Sequence, residues 1–135
     1  YGSVVANMMR QALDGEPLTV HGDGTQTRCF TYVDDTVEGT LRAALDARGE
    51  RRVFNIGNDH ETTINDLART IIEMTGSSSQ VRHVSYEERY GKGFEDTKRR
   101  VPDVRRAHDM LGFRAGVTLH DGLERTLRWW RDTHS

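Results

Sequence analysis

Arg28 closes the run His21-Gly22-Asp23-Gly24-Thr25-Gln26-Thr27-Arg28, a few residues after two glycines. A guanidinium presents a rigid fork of donors that binds phosphate oxygens in pairs. Glycines beside it let a ligand come near the main chain. The chemistry on offer is anion recognition, and the plain alternative is Arg28 pairing with Asp34 or Asp35 across a loop. A second cationic run, Lys98-Arg99-Arg100-Val101-Pro102-Asp103-Val104-Arg105-Arg106, has five basic residues in nine and straddles an expected helix start. Helix N-termini favour anions, although a solvated basic face is the usual role of such a run. RNA binding through Arg99 to Arg106 lacks an aromatic stacking platform, and a formal net charge of −2 argues against a general nucleic-acid binder.

Other chemistries find less support. A dinucleotide cradle needs a glycine loop that follows a strand and opens a helix. Gly22-Asp23-Gly24 lacks the third glycine, and Gly91-Lys92-Gly93 has Asp96 in its place. The six histidines never pair at helical spacing with another ligand of their kind, so no metal site is expected. Cys29, the single cysteine, reads as a small strand hydrophobe and excludes an intrachain disulfide, which suits a reducing cytoplasm. No apolar run reaches the roughly 18 residues of a membrane span.

The elements that must position these residues can be read from periodicity and caps. At 135 residues, with 35% hydrophobic and 30% charged side chains, the chain is of single-domain size with a modest core. Ser3 is expected to cap a helix through Leu13, stopped by Gly15 and Pro17, with a strand at Leu18 to Val20. Asp23-Gly24 marks a turn before an alternating strand from Thr27 to Val33. Asp35 with Glu38 forms a capping-box pattern opening a helix with Val37, Leu41, Ala44 and Leu45 on its inward side. Val53 to Ile56 reads as a strand buried on both faces, belonging to a sheet mostly made elsewhere. Thr63 caps a helix ending at Gly76, and a strand follows near Val81 to Val84. Residues 86–100 read as a long ordered loop. Asp103 caps a short helix ending at Gly112, and Thr118 caps a last helix with Leu119, Leu123, Leu127 and Trp130 inward. The order is mixed α/β, with too few strands for a complete doubly wound domain. The chain begins at Tyr1 and reads as a piece of a longer protein.

The stretches GEPLTVHGDGTQTRCFTYVDDTVEG and YGKGFEDTKRRVPDVRRAHDMLGF together resemble the C-terminal part of the extended short-chain dehydrogenase/reductase family. These are NAD-dependent epimerases, dehydratases and decarboxylases of nucleotide-activated sugars. The resemblance extends from VVANMMRQAL through FNIGNDHETTINDLA to LHDGLERTLRWW. It implies that residues 1–135 are the nucleotide-sugar-binding portion of a Rossmann-type enzyme, without the N-terminal half that binds NAD. That half also carries the family's Tyr-x-x-x-Lys pair, and neither Lys92 nor Lys98 follows a tyrosine by four, so no catalytic residue is expected here. By the same resemblance Val4, Val5, Asn7 and Met8 touch the nucleotide-sugar from a helix start, and His21, Gly22 and Asp23 border the base. Arg28 clasps the diphosphate, Arg100 is a second arginine near the phosphates or a proton donor near the sugar, and Asp103 meets the ribose. His21 stands where many members have tyrosine, and Cys29 where serine, alanine or aspartate is common. The implied parent is a UDP-sugar epimerase or a UDP-glucuronate decarboxylase-like enzyme, cytoplasmic and homo-oligomeric, whose isolated fragment is inactive. The alternative is a non-enzymatic interaction or regulatory module derived from the same fold.

Overall fold

The computed structural model describes residues 3–87 and 96–134. Among them are five α-helices and four strands: α1 Val4–Leu13, β1 Leu18–His21, β2 Thr27–Cys29, α2 Val33–Leu45, β3 Glu61–Thr63, α3 Ile64–Thr75, β4 Val81–Val84, α4 Arg105–Leu111 and α5 Leu119–Thr133. A short 3-10 turn, Ala47–Gly49, follows α2. The fold is mixed α/β and divides into two units, one of residues 1–27, 62–99 and 123–135 and the other of residues 28–61 and 100–122. β2 pairs with β3, and the division runs through both strands.

The first unit is built on a parallel pair. β1 and β4 run side by side with Leu18 opposite Val81 and His21 opposite Val84. Parallel neighbours need a long crossover, and α3 supplies it. β1 alternates buried and half-buried side chains, so Leu18 and Val20 enter the core with Met8, Met9 and Ala12 of α1, Leu67, Ala68 and Ile71 of α3, and Leu123 and Leu127 of α5. Each valine, leucine, isoleucine or methionine among them contributes about 1.5–3 kcal/mol on burial. Gln11 ties α1 to β1 by donating to the Thr19 hydroxyl at 3.0 Å and accepting from the Thr19 amide at 3.1 Å. The caps of α3 are those its sequence implies: the Thr63 hydroxyl accepts from the Asp66 amide, and Gly76 closes the helix in the left-handed region. Ser3 holds the N-cap position of α1 but makes no side-chain cap bond there. Trp129 is exposed, while Trp130 is half-buried and stacks on His134 at 4.2 Å.

The second unit departs most from expectation. The strand begun at Thr27 ends at Cys29, and α2 starts at Val33 behind Tyr32, so no capping box forms at Asp35 and Glu38. Asp35 is buried within the first turn, where its carboxylate accepts from the amides of Gly116 at 3.1 Å and Val117 at 2.9 Å. Glu38 pairs with Arg42 instead. The inward side of α2 is not the Val37, Leu41, Ala44 and Leu45 face. It is the small-residue face: a Cβ on Gly39 would lie 2.4 Å from Ile56 and 3.0 Å from Phe113. Phe113 joins Ala107 and Leu111 in a core that also takes Ala43, Phe54 and Ile56. Larger side chains on that face of α2 would hold Ile56 and Phe113 away. Val53 to Ile56 forms no strand, and Val53 is largely exposed rather than buried on both faces. α4 begins one residue later than expected, behind Val104, and ends at Gly112 as anticipated. Thr118 does cap α5, accepting from the Asp121 amide at 3.1 Å.

Candidate functional site

The glycine turn at the end of β1 is fastened from several sides within the first unit. Gly22 and Gly24 both take positive φ, +72° and +73°, where a side chain is strained. Asp23 closes the turn on itself, its carboxylate accepting from the Thr25 amide at 2.9 Å and hydroxyl at 2.7 Å. Those bonds, the amide first, hold the Asp23 carboxyl below its usual range. Asn65 at the start of α3 donates its side-chain amide to the Asp23 carbonyl at 2.9 Å and its backbone amide to the Gly24 carbonyl at 3.0 Å. The Gly22 amide donates to the Val84 carbonyl at 2.8 Å. Buried Gln26 donates to the His21 carbonyl at 2.8 Å and to the Tyr86 hydroxyl at 2.9 Å. Tyr86 donates in turn to Asp96 at 3.0 Å, and its ring stacks on His21 with centroids 6.3 Å apart.

The glycines therefore have a reason other than ligand approach. A Cβ on Gly22 would meet the Tyr86 ring at 2.6 Å, and one on Gly24 would meet the Asn65 amide at 2.0 Å. Tyr86 and Asn65 of the chain itself lie where those side chains would be. The turn leads into β2 rather than into a helix. Gly91-Lys92-Gly93 lies outside the described residues.

In the second unit, Arg28 is half-buried on β2 and Arg100 is exposed. Thr27 and Arg99 form an isolated parallel bridge, so Arg28 and Arg100 are the next residues along two chains that have just paired in register. Asp103 is exposed, and Arg105 clasps its carboxylate through Nε at 2.9 Å and a terminal nitrogen at 2.6 Å. That clasp, with the Arg105 amide, lowers the Asp103 pKa to about 2. Arg106 donates to the Val53 carbonyl at 3.0 Å. Two of the five basic residues in the run thus serve the chain's own structure. The carboxylate of Asp35 is spent on Gly116 and Val117.

On α1, Met8 is buried, Val4 and Val5 are half-buried and Asn7 is exposed. Val4, Val5, Asn7, Met8, His21, Gly22 and Asp23 belong to the first unit, and Arg28, Arg100 and Asp103 to the second.

The NAD dependent epimerase/dehydratase family model matches residues 1–57, the stretch holding α1, the glycine turn, Arg28 and α2. The UDP-N-acetyl-alpha-D-glucosaminuronate decarboxylase of Bacillus cytotoxicus is 42% identical over 98% of the chain. Residues 1–57 thus share the pattern of the NAD-dependent epimerase/dehydratase family. UDP-glucuronic acid decarboxylase 1 of Xenopus tropicalis is 40% identical over 96% of the chain. Among solved members, the UDP-glucose 4-epimerase of Thermotoga maritima, determined with UDP-glucose, superposes on the whole chain with a TM-score of 0.87 at 34% identity. The UDP-glucuronic acid 4-epimerase of Bacillus cereus, determined with UDP-glucuronic acid and NAD, covers 98% with a TM-score of 0.85 at 28% identity. The chain spans 41% and 29% of the two curated relatives and 42% and 40% of the two solved ones. No helix among the described residues is long and apolar enough to cross a membrane.

Gln26, Asn65 and Tyr86 escaped the sequence reading. Their one sequence signal was polarity beside turns, which most loops share.

Proposed function

We propose that this chain is the substrate-binding portion of an NAD-dependent enzyme that modifies nucleotide-sugars, of the UDP-sugar epimerase or UDP-glucuronate decarboxylase kind. The observation that supports the proposal is the Thr27–Arg99 bridge, which Arg28 and Arg100 directly follow in sequence, and these two arginines are proposed to grip one diphosphate. The names of the family members with which the chain aligns support the substrate class. Val4, Val5, Asn7 and Met8 are proposed to touch the nucleotide-sugar, His21, Gly22 and Asp23 to border the base, and Asp103 to meet the ribose. Asp103 reaches a ribose only by sharing or releasing Arg105, and Arg28 and Arg100 are proposed to supply charge-assisted bonds to the phosphates. Within the first unit, a turn fastened by Gln26, Asn65 and Tyr86 is already ordered, which limits the entropy lost when a ligand settles on it.

NAD supplies hydride chemistry in the parent enzyme. The described residues carry no cradle for it, so it is assigned to the part of the enzyme beyond this chain. The contribution of the present residues is to hold the sugar nucleotide by its remote end, so that binding energy orients the sugar. In the assembled enzyme, a homo-oligomer on this proposal, the substrate would be gripped here and transformed elsewhere.

Calorimetric titration with UDP tests the clasp. Charge-assisted bonds contribute roughly 1.5–3 kcal/mol each, so Arg28→Ala is expected to weaken binding about a hundredfold with little change in melting temperature. Arg100→Ala should weaken it in the same direction. Equal affinity of both variants and the parent chain would return the two arginines to structural roles.

A further inference from the structure

Tyr86 fastens the glycine turn of the first unit by both its hydroxyl and its ring. The hydroxyl accepts from the buried Gln26 amide at 2.9 Å and donates to the Asp96 carboxylate at 3.0 Å. Gln26 also donates to the His21 carbonyl at 2.8 Å, so both hydrogens of one amide are spent here. A carbon of the Tyr86 ring lies 2.6 Å from where Gly22 would carry a Cβ, and glycine at 22 is what admits the ring. The ring stacks on the His21 imidazole with 6.3 Å between centroids and 30° between planes, inside the range of attractive aromatic pairs. The main chain beside His21 is held as well: the Gly22 amide donates to the Val84 carbonyl at 2.8 Å, and His83 Nδ1 donates to the Gly22 carbonyl at 3.0 Å. Packing alone would ask only for an aromatic ring. The two bonds at the hydroxyl fix where that ring stands.

We infer that Tyr86 is a positioning residue for base recognition: pinned by Gln26 and Asp96, it sets the plane of the His21 imidazole on which a nucleobase stacks. The inference rests on the proposed function, which puts His21 beside the base. His21 is half-buried and has Tyr86 stacked against its ring. An imidazole turns about two side-chain bonds, and one free to turn loses that freedom when a ligand settles on it. Backing by a pinned ring removes this cost before the ligand arrives. Arginines recognise a diphosphate by charge whatever it is attached to, whereas stacking needs a flat ring held at one angle. Tyr86 therefore governs how far a nucleoside diphosphate is preferred over bare pyrophosphate, and it does so through His21.

The test is calorimetric titration of the chain with UDP and with inorganic pyrophosphate, read as the ratio of the two affinities. Stacking of a base on an aromatic ring is worth at least about fivefold in affinity, so Tyr86→Leu is expected to cut the ratio by about that factor. Tyr86→Phe keeps the ring and loses both hydroxyl bonds, and should cut the ratio by a smaller factor. In a His21→Ala background, Tyr86→Leu should change the ratio no further, because the residue through which it acts is gone. A Tyr86→Leu variant that weakens UDP and pyrophosphate alike overturns the inference, as does one that keeps its effect in the His21→Ala chain. If Tyr86→Leu has no cooperative melt, Tyr86→Phe decides, and a ratio equal to that of the parent chain overturns the inference. A parent chain that binds pyrophosphate through Arg28 but takes UDP no more tightly overturns this inference alone. A parent chain that binds neither overturns the proposed function together with it.

Discussion

Asp103 and Arg105 show how one side chain can answer for another. The Arg105 guanidinium and backbone amide stabilise the ionised carboxylate, lowering its pKa from 3.8 to about 2. A depressed carboxylate contributes stability that is complete above the unfolded value and is lost as pH falls through the folded one. The clasp is therefore expected to hold throughout the neutral range and to fail only between pH 3.8 and about 2. Carbon-detected titration of the Asp103 carboxyl should show a midpoint near 2, and Arg105→Gln should restore it towards 3.8. A wild-type midpoint already at 3.8 would mean that the clasp does not persist in solution. The types of the candidate residues were legible at this scale: glycines, then an arginine, then a distant basic run. Their engagements were not. Gln26 meets Tyr86 across 60 positions of chain, and no local pattern announces such a pair.

Elements whose ends are set locally were readable, and the one whose orientation is set by distant contacts was not. Thr63 with Gly76, and Thr118 ahead of α5, satisfy helix ends through bonds a few residues long, so composition alone reveals them. α2 misled because its larger apolar residues outvoted Gly39 in any count of hydrophobic periodicity, although Gly39 marks the side that packs. Asp35 misled in the same helix, since Asp before Glu at three-residue spacing suggests a cap, whereas here it anchors residues 116–117. Removing it would take away the acceptor shared by the Gly116 and Val117 amides. Asp35→Ala is expected to destabilise the protein by about 2–4 kcal/mol, with Asp35→Asn recovering part of the loss. Chemical denaturation followed by circular dichroism would measure both, and a neutral alanine variant would remove Asp35 from the list of structural anchors.

For the whole molecule, the fold class was legible because helices and short strands alternate along the chain. Val53 to Ile56 shows why more was not: an apolar run tells that it will be covered, but not by what. On the proposed function, the chain binds a nucleotide-sugar and performs no hydride transfer. Purified chain incubated with NAD and UDP-glucose or UDP-glucuronic acid should yield no epimer, no decarboxylated product and no NADH absorbance. Any enzyme-dependent product would place catalytic residues within these 135 positions and contradict the division of labour proposed.

The side-chain amide of Asn65 occupies the volume that Gly24 leaves empty, and this links two sites far apart in sequence through size alone. Neither can drift independently: a bulkier residue at 24 evicts the amide, while a shorter one at 65 opens a hole beside a backbone still bent the wrong way for anything but glycine. A residue other than glycine at 24 is therefore expected to cost both backbone strain and the Asn65 bond to the Asp23 carbonyl, while replacement of Asn65 costs only the bond and its packing.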